Sequence, residues 1–326
     1  MNKIKMLVLG GTGFIGQNIL NYYFNNDLYE IHSTYFNNQK IEIPNVTWHK
    51  VDLRVESQVH ELIKDQDIVI QCAATTSGIA EIVSKVDYHI TDNVIMNANI
   101  LRRVNQKKIK HFIFFSCITM LQSSLIPQKE SDFNEADTMH PRYFGIGWTK
   151  VYIEKMCEYY SRQSSKTKYS VIRHSNVFGP HDKFNLKNSH VLGATITKVL
   201  TSEKTIEIWG TGEEYRDLIY IKDLVGFVEK LIDKQTSPFL LLNCGGTAFI
   251  SIAQLTEKVI ALSGRKDLEV VFNPTGPTVN FSACVDIGLA EHKIGWTPST
   301  SFDTALRETI EYWKTKKKQD STWPDL

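Results

Sequence analysis

The stretch Ile4-Lys5-Met6-Leu7-Val8-Leu9-Gly10-Gly11-Thr12-Gly13-Phe14-Ile15-Gly16 decides the fold. Its apolar run predicts a buried strand, and the glycines after it open directly into a segment with helical apolar spacing. Each glycine has a physical task in such a loop. Gly10 permits the tight turn, Gly13 lets backbone approach a pyrophosphate with no side chain between, and Gly16 lets the helix pack closely on the strand. The first N–H groups of the helix have no intrahelical acceptor and point at the anion. The stretch therefore reads as a dinucleotide loop, with Gly10, Thr12, Gly13, Phe14, Ile15 and Gly16 as cofactor-contacting positions.

Outward from this loop, short β-branched runs alternate with longer amphipathic segments as far as about Arg173. Strands are predicted at 4-9, 30-35, 46-50, 67-73, 111-116 and 168-174, with helices at 14-26, 56-64, 79-107 and 145-163. Repeated βαβ units of this kind imply an α/β fold, a Rossmann-type doubly wound parallel sheet. Residues 1-178 form the dinucleotide-binding half on this reading. Residues 179-326 have no glycine fingerprint of their own and read as a smaller, mixed α/β C-terminal lobe for the substrate, with some exchange of strands or helices back to the first half. In that lobe strands are expected near 205-209, 216-221, 239-244 and 268-272, and helices at 190-202, 222-233, 252-262 and 303-318.

Two more features belong to the cofactor side. Asp52-Leu53, past the third strand, is placed to meet an adenine, and Ala73-Ala74, ending the fourth, passes beneath the cofactor as small residues. The second strand ends Ile31-His32-Ser33-Thr34-Tyr35-Phe36-Asn37, without the acid that usually holds an adenosine ribose. A 2′-phosphate is then not repelled, so NADP is the expected cofactor and NAD the second choice. No arginine stands in that stretch, and Ser33, Thr34, Asn37 or Lys40 would have to hold the phosphate.

Composition sets limits. The 37 Lys+Arg balance 36 Asp+Glu, a formal charge of +1, which argues against a nucleic-acid partner because such proteins carry a basic excess. At 42% hydrophobic and 22% charged, the chain is supplied for a packed core. Its five cysteines are scattered, with no C-x-x-C pair, so neither a disulfide framework nor a metal site is expected. The first residues do not read as a signal segment and no apolar run reaches the ~20 residues of a membrane span. The expectation is a cytoplasmic protein with no membrane partner.

Taken together, Gly10-x-x-Gly13-x-x-Gly16, Asp52-Leu53, Ala73-Ala74, Asn93-Val94, Lys150 and Arg173-x-x-Asn176-Val177-Phe178-Gly179-Pro180 resemble the extended short-chain dehydrogenase/reductases, the NAD-dependent epimerase/dehydratase family, which modify nucleotide sugars. Nearly the whole chain takes part. Within that family, Glu154-Lys-Met-Cys-Glu158, Gly179-Pro-His-Asp-Lys-Phe184, Asn188-Ser-His-Val191, Ile208-Trp-Gly-Thr-Gly212 and Arg216-Asp217 look most like the GDP-fucose synthase branch, the epimerase/reductases of GDP-4-keto-6-deoxymannose. The resemblance implies a nucleotide-diphosphate sugar as partner and a homodimer through helices 79-107 and 145-163. It also implies a cofactor contact at His174, a second acid/base at His190, and sugar-nucleotide contacts at Asn176, Lys198, Trp209 and Arg216. Arg216 suits a diphosphate because its guanidinium presents a rigid fork of donors. The chain lacks the arginine that the synthases carry near Gly276-Pro277-Thr278, so the base stays open.

The hydride chemistry of the family uses Ser/Thr, Tyr and Lys: tyrosine moves the hydroxyl proton, lysine lowers its pKa and holds the nicotinamide ribose, and serine orients the sugar oxygen. Lys150 matches. Four residues before it, where tyrosine belongs, stands Ile146; the nearest tyrosine is Tyr143, seven back in Tyr143-Phe-Gly-Ile-Gly-Trp-Thr-Lys150. On a continuous helix Tyr143 would lie about 10 Å along the axis on the lysine's face. Alternatively Gly145 and Gly147 delay the helix, and a loop folds Tyr143 back. At the end of the strand 111-116, one register gives Cys117 the Ser/Thr role, beside Ser116 and Thr119; another pairs Cys117 with the branch's epimerisation cysteine and puts Phe115 at the serine position. Ile118-Thr119 offers no Asp-Glu pair, which disfavours dehydration. Three functions follow: an NADP-dependent 4-keto reductase, with or without epimerisation, acting on an NDP-4-keto-6-deoxyhexose for surface polysaccharide; an NAD-containing 4-epimerase; or a non-catalytic cofactor-binding sensor or scaffold.

Overall fold

A computed structural model describes residues 3–75, 86–163, 166–276 and 278–324. The first half alternates β1 (Ile4–Leu9), α1 (Phe14–Tyr23), β2 (Tyr29–Tyr35), β3 (Val46–Lys50), α2 (Glu56–Leu62), β4 (Ile68–Gln71), α3 (Val86–Lys107), β5 (His111–Cys117), α4 (Phe144–Gln163) and β6 (Lys168–His174). Beyond these come β7 (Asn176–Phe178), α5 (Val191–Thr201), β8 (Thr205–Trp209), β9 (Tyr215–Tyr220), α6 (Ile221–Lys234), β10 (Phe239–Cys244), β11 (Ala248–Ser251), α7 (Ile252–Ser263), β12 (Glu269–Asn273), α8 (Gly288–Ile294) and α9 (Phe302–Gln319).

Seven strands form one parallel sheet in the order β10-β6-β5-β4-β1-β2-β3. Because β1 pairs with β2 on one side and β4 on the other, the strand order reverses beside it. That reversal opens a crevice at the carboxyl ends of the strands, where open α/β sheets bind ligands. The alternation of β1 sends its side chains to two separate cores. Met6 and Val8 pack with Ile19 and Leu20 of α1 and with Val228 of α6, while Leu7 and Leu9 pack with Ile100 of α3 and Cys157 of α4. All four strand residues are fully buried, so the Rossmann-type sheet expected from the glycine loop is the sheet observed.

The strand β10 lies in the chain's second half yet completes this sheet, pairing with β6 from Phe239↔Tyr169 to Cys244↔His174. The remaining strands of that half form two small sheets, β11-β9-β7 and β12-β8. Three short elements carry no sequence signal of the expected kind: β7, β11 and α8. The fourth strand ends at Gln71, so Cys72, Ala73 and Ala74 lie in the loop after it, and α1 stops at Tyr23 rather than running to 26. The start of the expected helix 79-107 falls partly outside the described residues, and α3 is described from Val86. Among the described residues, no helix is long and apolar enough to cross a membrane, and no group of three or more His, Cys, Asp or Glu is arranged to hold a metal ion.

Candidate active site

The crevice beside β1 holds a cavity of about 290 Å³ lined by Gly10, Thr12, Gly13, Thr34–Asn38, Val51–Arg54, Cys72–Thr75, Asp92 and Met96. Its floor is backbone. Gly10 sits at φ +77°, and a Cβ there would come within 2.7 Å of Ala73 Cα. A Cβ on Gly16 would meet the Gly10 carbonyl at 2.3 Å. Only glycine fits either position, and the space so kept suits a dinucleotide pyrophosphate at the start of α1. Thr34 fixes the loop from below, its Oγ1 accepting the Gly10 N–H at 2.8 Å and its carbonyl accepting the Gly11 N–H at 3.0 Å. Phe14 and Ile15, the first residues of α1, pack against the core and are not among the residues lining the cavity.

Of the side chains expected to hold a 2′-phosphate, one is excluded. Ser33 is fully buried and donates to the Val8 carbonyl at 2.8 Å, because alternation along β2 turns it into the sheet. Lys40 is exposed and outside the cavity lining. Asn37 lines the cavity. The sequence reading missed an arginine that tertiary structure brings to this rim. Arg54 lies with its guanidinium 5.5 Å from the Phe36 ring, gripping Asp52 through Nε (2.9 Å) and Nη2 (2.8 Å) and Asp92 of α3 through Nη1 (2.9 Å). Those bonds hold the Asp52 carboxyl below the usual carboxylate range. Arg54 follows Asp52-Leu53 immediately in sequence, a signal that spacing from the second strand does not capture.

At the carboxyl end of β5, Lys150 of α4 donates from Nζ to the Phe115 carbonyl at 2.7 Å and stands 4.7 Å from the Phe114 ring centre. Burial lowers its pKa, while Cys117 and Glu154 pull the other way. Cys117 Sγ lies 3.0 Å from Thr119 Oγ1. Ser116, by contrast, is fully buried on the opposite side of β5 from Cys117, its hydroxyl donating to Glu154 Oε1 at 2.5 Å. Glu154 in turn accepts from Arg173 Nη2 at 2.6 Å, both side chains almost wholly buried. His174, at the end of the neighbouring β6, gives its Nδ1–H to the Ser175 carbonyl at 2.8 Å. Burial pushes it down to about 4, opposed by that bond and helped by Lys150 and His190, so the ring is neutral near pH 7. His190 is the exposed N-cap of α5.

Tyr143 closes a short 3₁₀ turn, Pro141–Tyr143, that runs without a break into α4 at Phe144. The idea of a late helix start is therefore corrected: Gly145 and Gly147 lie inside the helix, and their role is contact. A Cβ on Gly145 would strike Ile90 of α3 at 2.3 Å, and one on Gly147 would meet Met139 Sδ at 2.7 Å. Tyr143 stays seven residues from Lys150, about 10 Å along the axis. Its ring stands edge-on to Phe281 at 5.5 Å. Burial raises its pKa, with Arg216 opposing this and Cys117 adding to it.

The expected sugar-nucleotide residues divide. Lys198 and Trp209 meet, Nζ lying 5.0 Å from the ring centre, and each is also tied to Glu207, Lys198 through the carbonyl (2.6 Å) and Trp209 through Oε1 (2.9 Å). Asn176 donates to the Asp217 carbonyl at 2.9 Å. Arg216 donates to three carbonyls, those of Tyr215 (2.9 Å), Phe281 (2.5 Å) and Val279 (3.2 Å). It braces the segment that carries Phe281 against Tyr143.

Beside this glycine cradle, with half-buried Lys150 reaching the end of β5, stands the finding that residues 6–245 match the "NAD dependent epimerase/dehydratase family". The chain belongs to that family. It is an NAD(P)-dependent enzyme of the group that acts on nucleotide sugars. GDP-L-colitose synthase of Yersinia pseudotuberculosis is 23% identical over 323 residues, covering 97% of this chain and all of that protein. GDP-L-fucose synthase of Escherichia coli K12 is 23% identical over 328 residues, covering 96% and 97%. Among solved structures, the UDP-glucose 4-epimerase of Thermotoga maritima with UDP-glucose superposes with a TM-score of 0.85 at 23% identity, covering 96% of this chain and 99% of that one. The epimerase/dehydratase cradle fits a nicotinamide dinucleotide here: Gly10, Gly13 and Gly16 leave room for the pyrophosphate, and Ala73-Ala74 for its close approach.

Proposed function

We propose that this enzyme reduces the C4 keto group of an NDP-4-keto-6-deoxyhexose, with or without prior epimerisation, in the synthesis of a surface polysaccharide. The observation that carries the reading is half-buried Lys150 at the carboxyl end of β5, its Nζ on the Phe115 carbonyl, beside the glycine cradle. The likeness to synthases of GDP-deoxy sugars supports the substrate class. A bound nicotinamide supplies the hydride. The residues of this chain then bind, orient and move protons. Cys117 and Thr119 offer adjacent donors to a keto oxygen. Tyr143, kept protonated by burial, or a water held on Lys150, gives the proton as charge grows on that oxygen. With Ile118-Thr119 following Cys117, no carboxylate stands there to eliminate water. For epimerisation, Cys117 and His190 are the candidate acid/base pair, and Asn176, Lys198, Trp209 and Arg216 are the candidate contacts to the sugar nucleotide.

The purified protein, given NADH or NADPH with a panel of GDP-, dTDP- and CDP-4-keto-6-deoxy sugars, is expected to oxidise the cofactor with at least one of them. Turnover with none overturns the reductase. The second reading, a 4-epimerase that keeps NAD and re-reduces the carbon it oxidised, is favoured by the carboxylates around Arg54. It predicts stoichiometric NAD released on denaturation and interconversion of 4-epimers without added cofactor. Family membership sets aside the sensor or scaffold. We also propose that 1-178 serves the cofactor and 179-326, apart from β10, the sugar. A cytoplasmic homodimer through α3 and α4 completes the reading, supported by exposed Ile95, Tyr152 and Tyr159 on those helices; sedimentation of the pure protein tests it.

A further inference from the structure

We infer that Glu30, His32 and His49 form a proton-operated latch on the β2–β3 edge of the sheet, closed while one hydrogen lies between the two rings and opened when both facing nitrogens carry one. Only its consequence for the cavity rests on the nicotinamide-dependent reading above. The three side chains stand in line across two parallel strands. His32 Nδ1 faces His49 Nε2 at 3.0 Å with the ring planes 20° apart, and Glu30 Oε1 lies 3.0 Å from His32 Nε2. Glu30 and His32 are two residues apart on β2 and so share a face. That face opens on a broad groove of about 910 Å³, which both histidines line.

The hydrogen bonds fix where the protons go. A carboxylate only accepts, so His32 carries its hydrogen on Nε2, and its Nδ1 accepts from the His49 Nε2–H. A first proton enters at His49 Nδ1, the nitrogen outside this contact, and still leaves a single hydrogen between the rings. A second places an N–H on each facing nitrogen, where neither can accept, and sets two cations side by side. Burial, and then His32, hold the His49 pKa below its usual value, while the bond to His32 keeps Glu30 below the usual carboxylate range and so charged in mild acid. Lys5 of β1, Lys50 of β3, Glu61 of α2, and Lys64 and Asp65 of the turn after α2 also line the groove, with Lys64 bonded to Glu61. Lys3, before β1, acts on Glu30 as Lys5 does.

Both strands end at the cavity. His32 lies three residues before Tyr35 and His49 three before Asp52, and Tyr35–Asn38 and Val51–Arg54 line the space above the glycine floor. The Val51 N–H donates to the Tyr35 carbonyl at 3.0 Å, joining the two rim segments directly beyond the latch. Because β3 is the last strand of the sheet, no further strand opposes its parting from β2. The closed form binds fewer protons than the open one, so the latch is closed above about pH 6.5 and is lost as pH falls below that value.

Calorimetric titration of the nucleotide-free protein with NAD⁺ from about pH 8 to pH 5 tests this without a sugar substrate. NAD⁺ is the probe because it has no phosphate monoester, whose ionisation near about pH 6 would overlap the profile. Affinity is expected to hold above about pH 6.5 and then to fall by up to about tenfold per pH unit, the limit for one proton taken up on opening. Hydrogen exchange, corrected for its intrinsic pH dependence, should show protection lost in β3 over the same range and kept in β4. His49→Gln and His32→Gln each remove one titrating ring and should flatten both profiles; unfolding curves check that they fold, and one folded variant suffices. A flat affinity profile in the unaltered protein overturns the inference, as do an equal fall in the variants, a fall without loss of β3 protection, or equal loss in β3 and β4. Failure to bind NAD⁺ at any pH overturns the cofactor reading instead, and the exchange profiles then decide the latch alone.

Discussion

The two sides of the crevice handle charge in opposite ways. On the cofactor side the floor is glycine-made space, and Arg54 on its rim is paired with two carboxylates. On the sugar side several cations are held on carbonyl oxygens: Lys150 on Phe115, Lys198 on Glu207, Arg216 on Tyr215, Val279 and Phe281. A carbonyl holds an ammonium or guanidinium in place without neutralising it. If the proposed sugar contacts hold, a diphosphate on that side would meet cations that are fixed in place without being neutralised by their carbonyl partners. A near-neutral chain can bind two polyanions in this way.

This contrast can be broken at its support. Glu154 neutralises Arg173 beneath the sugar side, both nearly fully buried. Glu154→Ala leaves a buried guanidinium unpaired and also orphans the Ser116 hydroxyl, so it should cost about 3–5 kcal/mol of unfolding free energy, measured by denaturant titration. No comparable loss is expected from Asp92→Ala on the exposed cofactor rim. Lys150→Met comes next. It should lower kcat by about a hundredfold or more while changing nucleotide affinity far less, read by steady-state rates beside calorimetry. Tyr143→Phe sharpens the same point: a fall of about tenfold or more assigns the proton to the phenol, and an unchanged kcat assigns it to water on Lys150.

The smallest expected effect at neutral pH separates the sites from the scaffold. His111 is buried beneath the sheet's amino end, 2.7 Å from Ser170 Oγ, and burial pushes its pKa down to about 3. A histidine whose folded pKa lies below its unfolded value near 6.5 contributes stability that is present above pH 6.5 and lost as pH falls towards 3. Unfolding free energy should drop by about 1.4 kcal/mol per pH unit through that window from this residue. His111→Gln should flatten that part of the profile, followed by denaturant titration at several pH values, and should leave the nucleotide preference unchanged.

What was legible in the sequence follows from which interactions are local. The strand Ile4–Leu9, the loop to Gly16 and the fourteen-residue helix after β9 carry their meaning within one or two turns of chain, and they fold as read. Lys150 was singled out through the family resemblance, and the structure sets its Nζ on the Phe115 carbonyl at the end of β5. Arg54 was not, since its place is set by Phe36 and Asp92, which the sheet and α3 bring to it. Gly145 and Gly147 were read as helix breakers because glycine is a poor helix former, yet close packing on Ile90 and Met139 outweighs that local cost. Likewise β7 and β11 are too short to show an alternation and exist because β9 lies between them.

The return of β10 to the main sheet has a bearing on any dissection of this chain. Cut after Phe178, the first half would keep its glycine cradle but lose the strand that covers β6, leaving six consecutive residues of that strand, Tyr169–His174, with unpaired backbone on one side. An open, apolar edge of that kind invites pairing with other chains. The half that looks self-sufficient by its nucleotide loop would be prone to aggregate, and a soluble fragment needs the chain to run at least through Cys244. A strand from beyond residue 178 thus guards the edge of the sheet that carries the nucleotide loop.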